Sequence, residues 1–137
     1  MRPSSALNVL VVGGPHGLAE SLAPPLREDG HRVGEAADGD RAVAVSREEF
    51  PDVVFLDVDA VGPDTPNVAE RIGDLSARRR PFMIALSAAP PAQCPPSPYR
   101  SPIDLHLIKP SDFSSLRHLL RRFQAIAKDF ESFDPAI

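Results

Sequence analysis

Residues Val53 to Leu56 form an unbroken apolar run, Val-Val-Phe-Leu, bounded by Pro51-Asp52 before it and Asp57 after it. A short run rich in β-branched and aromatic residues, with no polar alternation, suits a strand buried on both faces of a parallel sheet. Such a strand needs helices above and below it, which makes the chain an α/β protein. Asp57 stands where the strand would leave the sheet, and open α/β sheets bind ligands outside the carboxyl ends of their strands. A carboxylate at that point is a candidate for chemistry rather than a mere strand cap.

The same stretch contains a false lead. Asp57, Asp59 and Gly62 fit positions one, three and six of a calcium-binding EF-hand loop, but Val61 stands at position five. Val68 stands at position twelve, where a bidentate Glu is required. The residues before Asp57 also read as strand, so calcium by this route is set aside.

Around this centre the apolar pattern alternates between strands and helices. Leu7 to Val12 reads as a first strand running into Gly13-Gly14-Pro15-His16-Gly17. That glycine-rich loop could hold a phosphate, although Gly14 and Gly17 fit only the last two glycines of a dinucleotide fingerprint and Val12 occupies the first. Glu35 is placed to act as the ribose-binding acid of such a site, while His16 has no second His or Cys nearby and reads as a solvated loop residue.

Leu18, Leu22 and Leu26 recur every four residues and mark a first helix ending near Asp29-Gly30. Pro24 and Pro25 lie inside it, and each removes an amide donor, so a kink or a broken ladder is expected. His31 to Ala36 reads as strand two. Ala37-Asp38-Gly39-Asp40 then turns into a helix over residues 41–49, with Ala42, Val43 and Val45 inward. A third helix is expected from Pro66 to Arg79, with Val68, Ile72 and Leu75 on its buried face and the arginines 78–80 complementing its carboxyl end.

Phe82 to Leu86 reads as strand four, with Ser87 at its end. Pro90, Pro91, Pro95, Pro96, Pro98 and Pro102 interrupt the next segment, so an extended or polyproline-like loop is expected there in place of a helix, carrying Cys94 and Tyr99. Leu105 to Ile108 is strand five and leads into Lys109-Pro110. Ser111 or Asp112 caps a last helix whose stripe is Leu116, Leu119, Leu120, Phe123, Ile126 and Phe130, with Arg117, Arg121, Arg122 and Lys128 on its solvated face. Residues 131–137 read as a loose tail.

Length and charge narrow the function. The 137 residues suffice for a single domain with its core over about 6–130, and the reading is a stand-alone module. A net charge of -4 argues against a general nucleic-acid binder, which needs a basic face. One cysteine cannot form an internal disulfide, no run approaches a membrane span, and no export leader is visible, so the expected location is cytoplasmic. No nucleophile is accompanied by an evident base and orienting acid, so an independent enzyme is not expected.

Parallel strands in this order bring Asp57, Ser87 and Lys109 to one edge of the sheet. Here the sequence resembles the response-regulator receiver domain of two-component signalling. The resemblance covers residues 6–130 and rests on Pro51-Asp52-Val53-Val54-Phe55-Leu56-Asp57, Glu35-Ala36-Ala37-Asp38-Gly39, Ile84-Ala85-Leu86-Ser87-Ala88 and Lys109-Pro110, in register. It implies a flavodoxin-like (CheY-like) doubly wound sheet of order 2-1-3-4-5. It also implies Asp57 as phosphoryl acceptor, Ser87 and Lys109 as the groups contacting the phosphoryl, a cis Lys109-Pro110 bond, and a histidine kinase or other signalling protein as partner. A homodimer is also compatible with it. The physics suits these roles, because phosphoryl transfer is largely positioning plus charge stabilisation.

Three departures shape the expectation. Receiver domains carry two acids after strand one that hold Mg²⁺ with the acceptor Asp, whereas this chain has Gly13 and Gly14. Mg²⁺ is then expected to bind weakly, through Asp57 with Asp59 as a replacement ligand, and the glycine amides could instead take an anion. The switch position, usually Tyr or Phe, is His106, expected to be partly buried and hydrogen-bonded. The prolines of 90–102 displace or shorten the helix between strands four and five. The reading is an atypical, or pseudo-, receiver that works by protein–protein interaction with phosphorylation impaired or conditional. The alternative is a small nucleotide- or phosphate-binding protein using Gly13 to Gly17.

Overall fold

The computed structural model describes residues 7–13, 18–75, 80–88, 103–109 and 116–122. Five parallel strands form one sheet in the order β2-β1-β3-β4-β5. They are β1 (Asn8–Val12), β2 (Arg32–Ala36), β3 (Val53–Asp57), β4 (Phe82–Ser87) and β5 (Leu105–Ile108). The fold class expected from the sequence is therefore the observed one.

The central strand explains the rest. All five residues of β3 are buried, because it lies between β1 and β4 and is covered on both faces. Its alternate side chains feed two separate cores. Val53 and Phe55 join Val9, Val11, Ile84 and Leu86 in one core, closed by Leu22 and Leu26 of α1 (Leu18–Glu28) and by Leu116 and Leu120 of the helix over 116–122. Val54 and Leu56 join Leu10, Val12, Met83 and Ala85 in the other, closed by Ala42 and Val43 of α2 (Gly39–Glu49) and by Val68, Ala69 and Ile72 of α4 (Thr65–Asp74). Burying a side chain of this size contributes about 1.5–3 kcal/mol, so the sheet's carboxyl edge rests on a doubly packed frame.

Local chemistry sets the helix limits. Asp38 caps α2 by accepting the Arg41 N–H at 2.8 Å, and α1 gives way to Gly30 at φ +93°, a backbone conformation that favours glycine. α1 continues through Pro24 and Pro25, although each proline removes one rung of its hydrogen-bond ladder. Pro24 and Ser21 are exposed, so the amide donors are lost on the side where water can replace them. His31 falls just before β2 and is buried, its Nδ1 accepting the Leu7 N–H at 3.3 Å.

The third helical segment also departs from expectation. A helical turn, α3 (Val58–Val61), starts at once after β3, and a 3₁₀ turn over Gly62–Asp64 leads into α4. The cause is Asp57, whose carboxylate accepts the Asp59 N–H at 3.1 Å and turns the chain on leaving the sheet. At the other end α4 stops at Asp74, with Leu75 half-buried after it, while Arg80 lies over Gly73. The proline-rich segment 90–102, the Lys109-Pro110 bond, the glycine loop beyond Gly13, Cys94 and the tail lie outside the described residues.

Candidate functional site

The parallel register places the carboxyl ends of β1, β3, β4 and β5 side by side. Asp57 pairs with Leu86, Ser87 with Ile108, and Val12 with Leu56. Gly13 continues the first strand by one residue, donating its N–H to the Ala36 carbonyl at 2.9 Å. Beyond β5 the Lys109 N–H donates to the Ser87 carbonyl at 2.6 Å. That bond aims the lysine side chain back across the edge.

Asp57 is 2 % exposed, a buried carboxylate at the centre of the edge. A buried charge is costly unless paired, and Asp57 Oδ1 is paired: Lys109 Nζ lies 2.8 Å away. The same ammonium reaches Asp59 Oδ2 at 3.0 Å. Asp59 Oδ2 in turn accepts the backbone N–H of Ala88 at 2.9 Å. One lysine thus bridges two carboxylates, and the exposed one is tied to the strand end that carries Ser87.

The protonation states follow from these contacts. The Lys109 hydrogen bond, followed by the Ala88 N–H, holds Asp59 below the usual carboxylate range against a smaller effect of desolvation. Desolvation pulls Lys109 downward, but its hydrogen bonds to Asp57 and Asp59 together outweigh it and leave its pKa raised. The pair Lys109 and Asp59 is therefore charged at neutral pH.

Of the residues singled out in the sequence, the structure brings together Asp57, Asp59, Ser87, Lys109 and Gly13. His106 is not part of this group and, contrary to the expected partial burial, is exposed on β5, because that strand edges the sheet and turns its even positions outward. Glu35, considered as a ribose ligand, is instead engaged by Arg27 at 3.1 Å on the outer strand. Two contributors escaped the sequence reading. The Ala88 amide is a backbone donor that no residue type announces, and only its place directly after Ser87 could have marked it. The closeness of Gly13 to Asp57 was likewise hidden, since the glycine pair read as lost acids or as amides for an external anion, and not as a neighbour of Asp57.

No model of a known protein family matches the sequence, and no curated protein does. Solved structures do match. The response regulator receiver domain (CheY-like) of Methylobacillus flagellatus is 19% identical with a TM-score of 0.67, covering 85% of this chain and 98% of that one. The receiver domain of a sensor histidine kinase from Pseudomonas aeruginosa is 23% identical with a TM-score of 0.70, covering 88% and 98%, and holds a magnesium ion in its active site cleft. The N-terminal domain of an uncharacterized protein from Wolinella succinogenes is 22% identical with a TM-score of 0.70, covering 90% and 98%. The chain thus has the flavodoxin-like fold of CheY-like receiver domains.

The magnesium of the Pseudomonas domain can be tested against the residues present here. Octahedral Mg²⁺ is held by hard oxygens, and among the described residues no group of three or more His, Cys, Asp or Glu side chains gathers to supply them. The two carboxylates at the edge are already shared by Lys109. Gly13 offers no acid, and a Cβ there would stand 3.3 Å from Asp57 Oδ2. The donor set does not fit a strong magnesium site, and weak binding is the most it allows.

Proposed function

We propose that this chain is an atypical receiver-type signalling module that acts by protein–protein interaction, with Asp57 as a phosphoryl acceptor of impaired or conditional reactivity. The observation that carries the reading is the Lys109 ammonium 2.8 Å from a buried Asp57 at the carboxyl edge of a 2-1-3-4-5 sheet. A carboxylate oxygen can attack phosphorus only where the charge on the transferring group is offset, and Lys109 is the cation positioned to do so. Ser87, one position past the register partner of Asp57, is placed to contact the incoming group. The lack of acids at Gly13 and Gly14 accounts for the impairment.

The partner is a histidine kinase or another protein of a phosphorelay, in keeping with the receiver domains of similar fold. His106, exposed on β5, serves in this reading as a surface residue available to a partner rather than as a buried rotamer switch. The module binds and signals rather than turning over a substrate.

Intact mass after incubation with acetyl phosphate, with and without Mg²⁺, tests the acceptor. In transfer, an Asp57 oxygen bonds to phosphorus as the bond from phosphorus to the acetyl oxygen breaks and acetate leaves. A partial phosphate adduct with little dependence on Mg²⁺, absent in Asp57→Asn, is expected. Full, strictly Mg²⁺-dependent modification would overturn the impaired reading, and an adduct surviving in Asp57→Asn would remove Asp57 as the acceptor.

A further inference from the structure

Asp59 Oδ2 accepts from two donors that come from different strand ends: the Ala88 N–H at 2.9 Å, beyond β4, and Lys109 Nζ at 3.0 Å, beyond β5. The Asp59 backbone N–H meanwhile holds Asp57 Oδ1 at 3.1 Å. A single oxygen, bound by one ammonium and one amide beside a buried carboxylate, has the surroundings that an oxyanion on Asp57 would itself require. Here that place is filled by a side chain of the protein. Asp59 is about half exposed at 48%, whereas Asp57 is 3% exposed at the side chain, so Asp59 can leave without disturbing either core.

We propose that Asp59 is a resident, displaceable anion that occupies an oxyanion site formed by Lys109 Nζ and the Ala88 N–H, and that it competes there with phosphate or a phosphoryl group. The inference rests on the receiver-type reading for its biological meaning, but the anion site is defined by the contacts alone. Its consequence is regulatory. With Asp59 in place, the loop after β3 is tied to the ends of β4 and β5 as an added phosphoryl group would tie it, and an external anion must first displace a side chain already attached to the fold. Removal of Asp59 then opens the site, because an apparent affinity is reduced by the fraction of molecules in which the site is free.

The experiment follows the Ala88 amide by ¹H–¹⁵N NMR during titration with inorganic phosphate. In wild type the amide is already hydrogen-bonded to a carboxylate, and little change is expected. In Asp59→Ala the resonance should start from a different position and move saturably with phosphate, with an apparent affinity at least about tenfold tighter than that of wild type. Adding Lys109→Met to Asp59→Ala should abolish the response, and the remaining amide spectrum reports whether each variant is folded.

Equal phosphate affinities in wild type and Asp59→Ala, or an Ala88 resonance unresponsive in the folded Asp59→Ala variant, would overturn the proposal. Acetyl phosphate on the same samples separates the two readings. A phosphate response at Ala88 without any covalent adduct on Asp57 would leave the resident-anion site standing while removing the phosphoacceptor.

Discussion

Gly13 lies against Asp57: a Cβ built on the glycine would be 3.0 Å from the Asp57 Cβ and 3.3 Å from its Oδ2. The bare backbone at Gly13 and the close seating of Asp57 are thus one feature rather than two. Where a receiver domain would carry a metal-binding carboxylate, this chain seats Asp57 against bare backbone. Lys109 then supplies the positive charge from the opposite side of the edge. The two edge carboxylates, Asp57 and Asp59, thus share one side-chain cation.

The contact makes Gly13→Ala an overpacking change. A methyl at 3.0 Å must push Asp57 away, and strain of this type costs roughly 1–3 kcal/mol. Chemical denaturation should show a loss of that order in Gly13→Ala and a much smaller loss when the same substitution is made in Asp57→Gly. Additive effects of the two substitutions would mean that the residues do not touch in solution.

Ser46 on α2 is 2% exposed, and its hydroxyl has no hydrogen-bond partner among the described residues. A buried, unsatisfied hydroxyl is destabilising, and serine is a poorer helix former than alanine. Ser46→Ala should therefore stabilise the protein by about 1 kcal/mol in urea unfolding. A loss of stability would show that the hydroxyl has a partner, such as a buried water.

The sequence made the centre of the fold legible because a four-residue apolar run has few ways to be satisfied. Once Val53 to Leu56 is a strand covered on both faces, the alternation of strands and helices leads to a parallel sheet, and Asp57, Ser87 and Lys109 must share its edge. Details that depend on local competition were less visible. The turn at Val58–Val61 exists because the Asp57 side chain caps it, and α1 continues through an exposed Pro24 and a half-buried Pro25. Contacts between residues far apart in the chain carried no signal. Arg117, read from its spacing as part of a solvated helix face, holds Asp29 at the end of α1 by hydrogen bonds of 2.6 and 2.8 Å. The tie of Asp59 to Ala88 was equally invisible, since it joins a side chain to a backbone amide 29 positions on.

His31 gives the fold a dependence on pH at the end of the sheet opposite Asp57. Burial lowers its pKa below the ordinary 6.5, and the Asp29 carboxylate opposes that shift only in part. In the folded chain the neutral ring accepts the Leu7 N–H at Nδ1, a bond that protonation would remove. Arg27, Arg32 and Glu49 line the same cleft. The unfolded chain takes up its proton near 6.5, while the folded chain does so only at lower pH. The contribution of His31 is therefore fully present above 6.5 and is lost as pH falls from that value through the folded pKa. Urea unfolding between pH 7.5 and 5 should show this decline. In His31→Gln, whose amide oxygen can still accept the Leu7 N–H, the decline should flatten over that window. Identical slopes in the two proteins would assign the pH dependence to other groups, because only the titration of residue 31 differs between them.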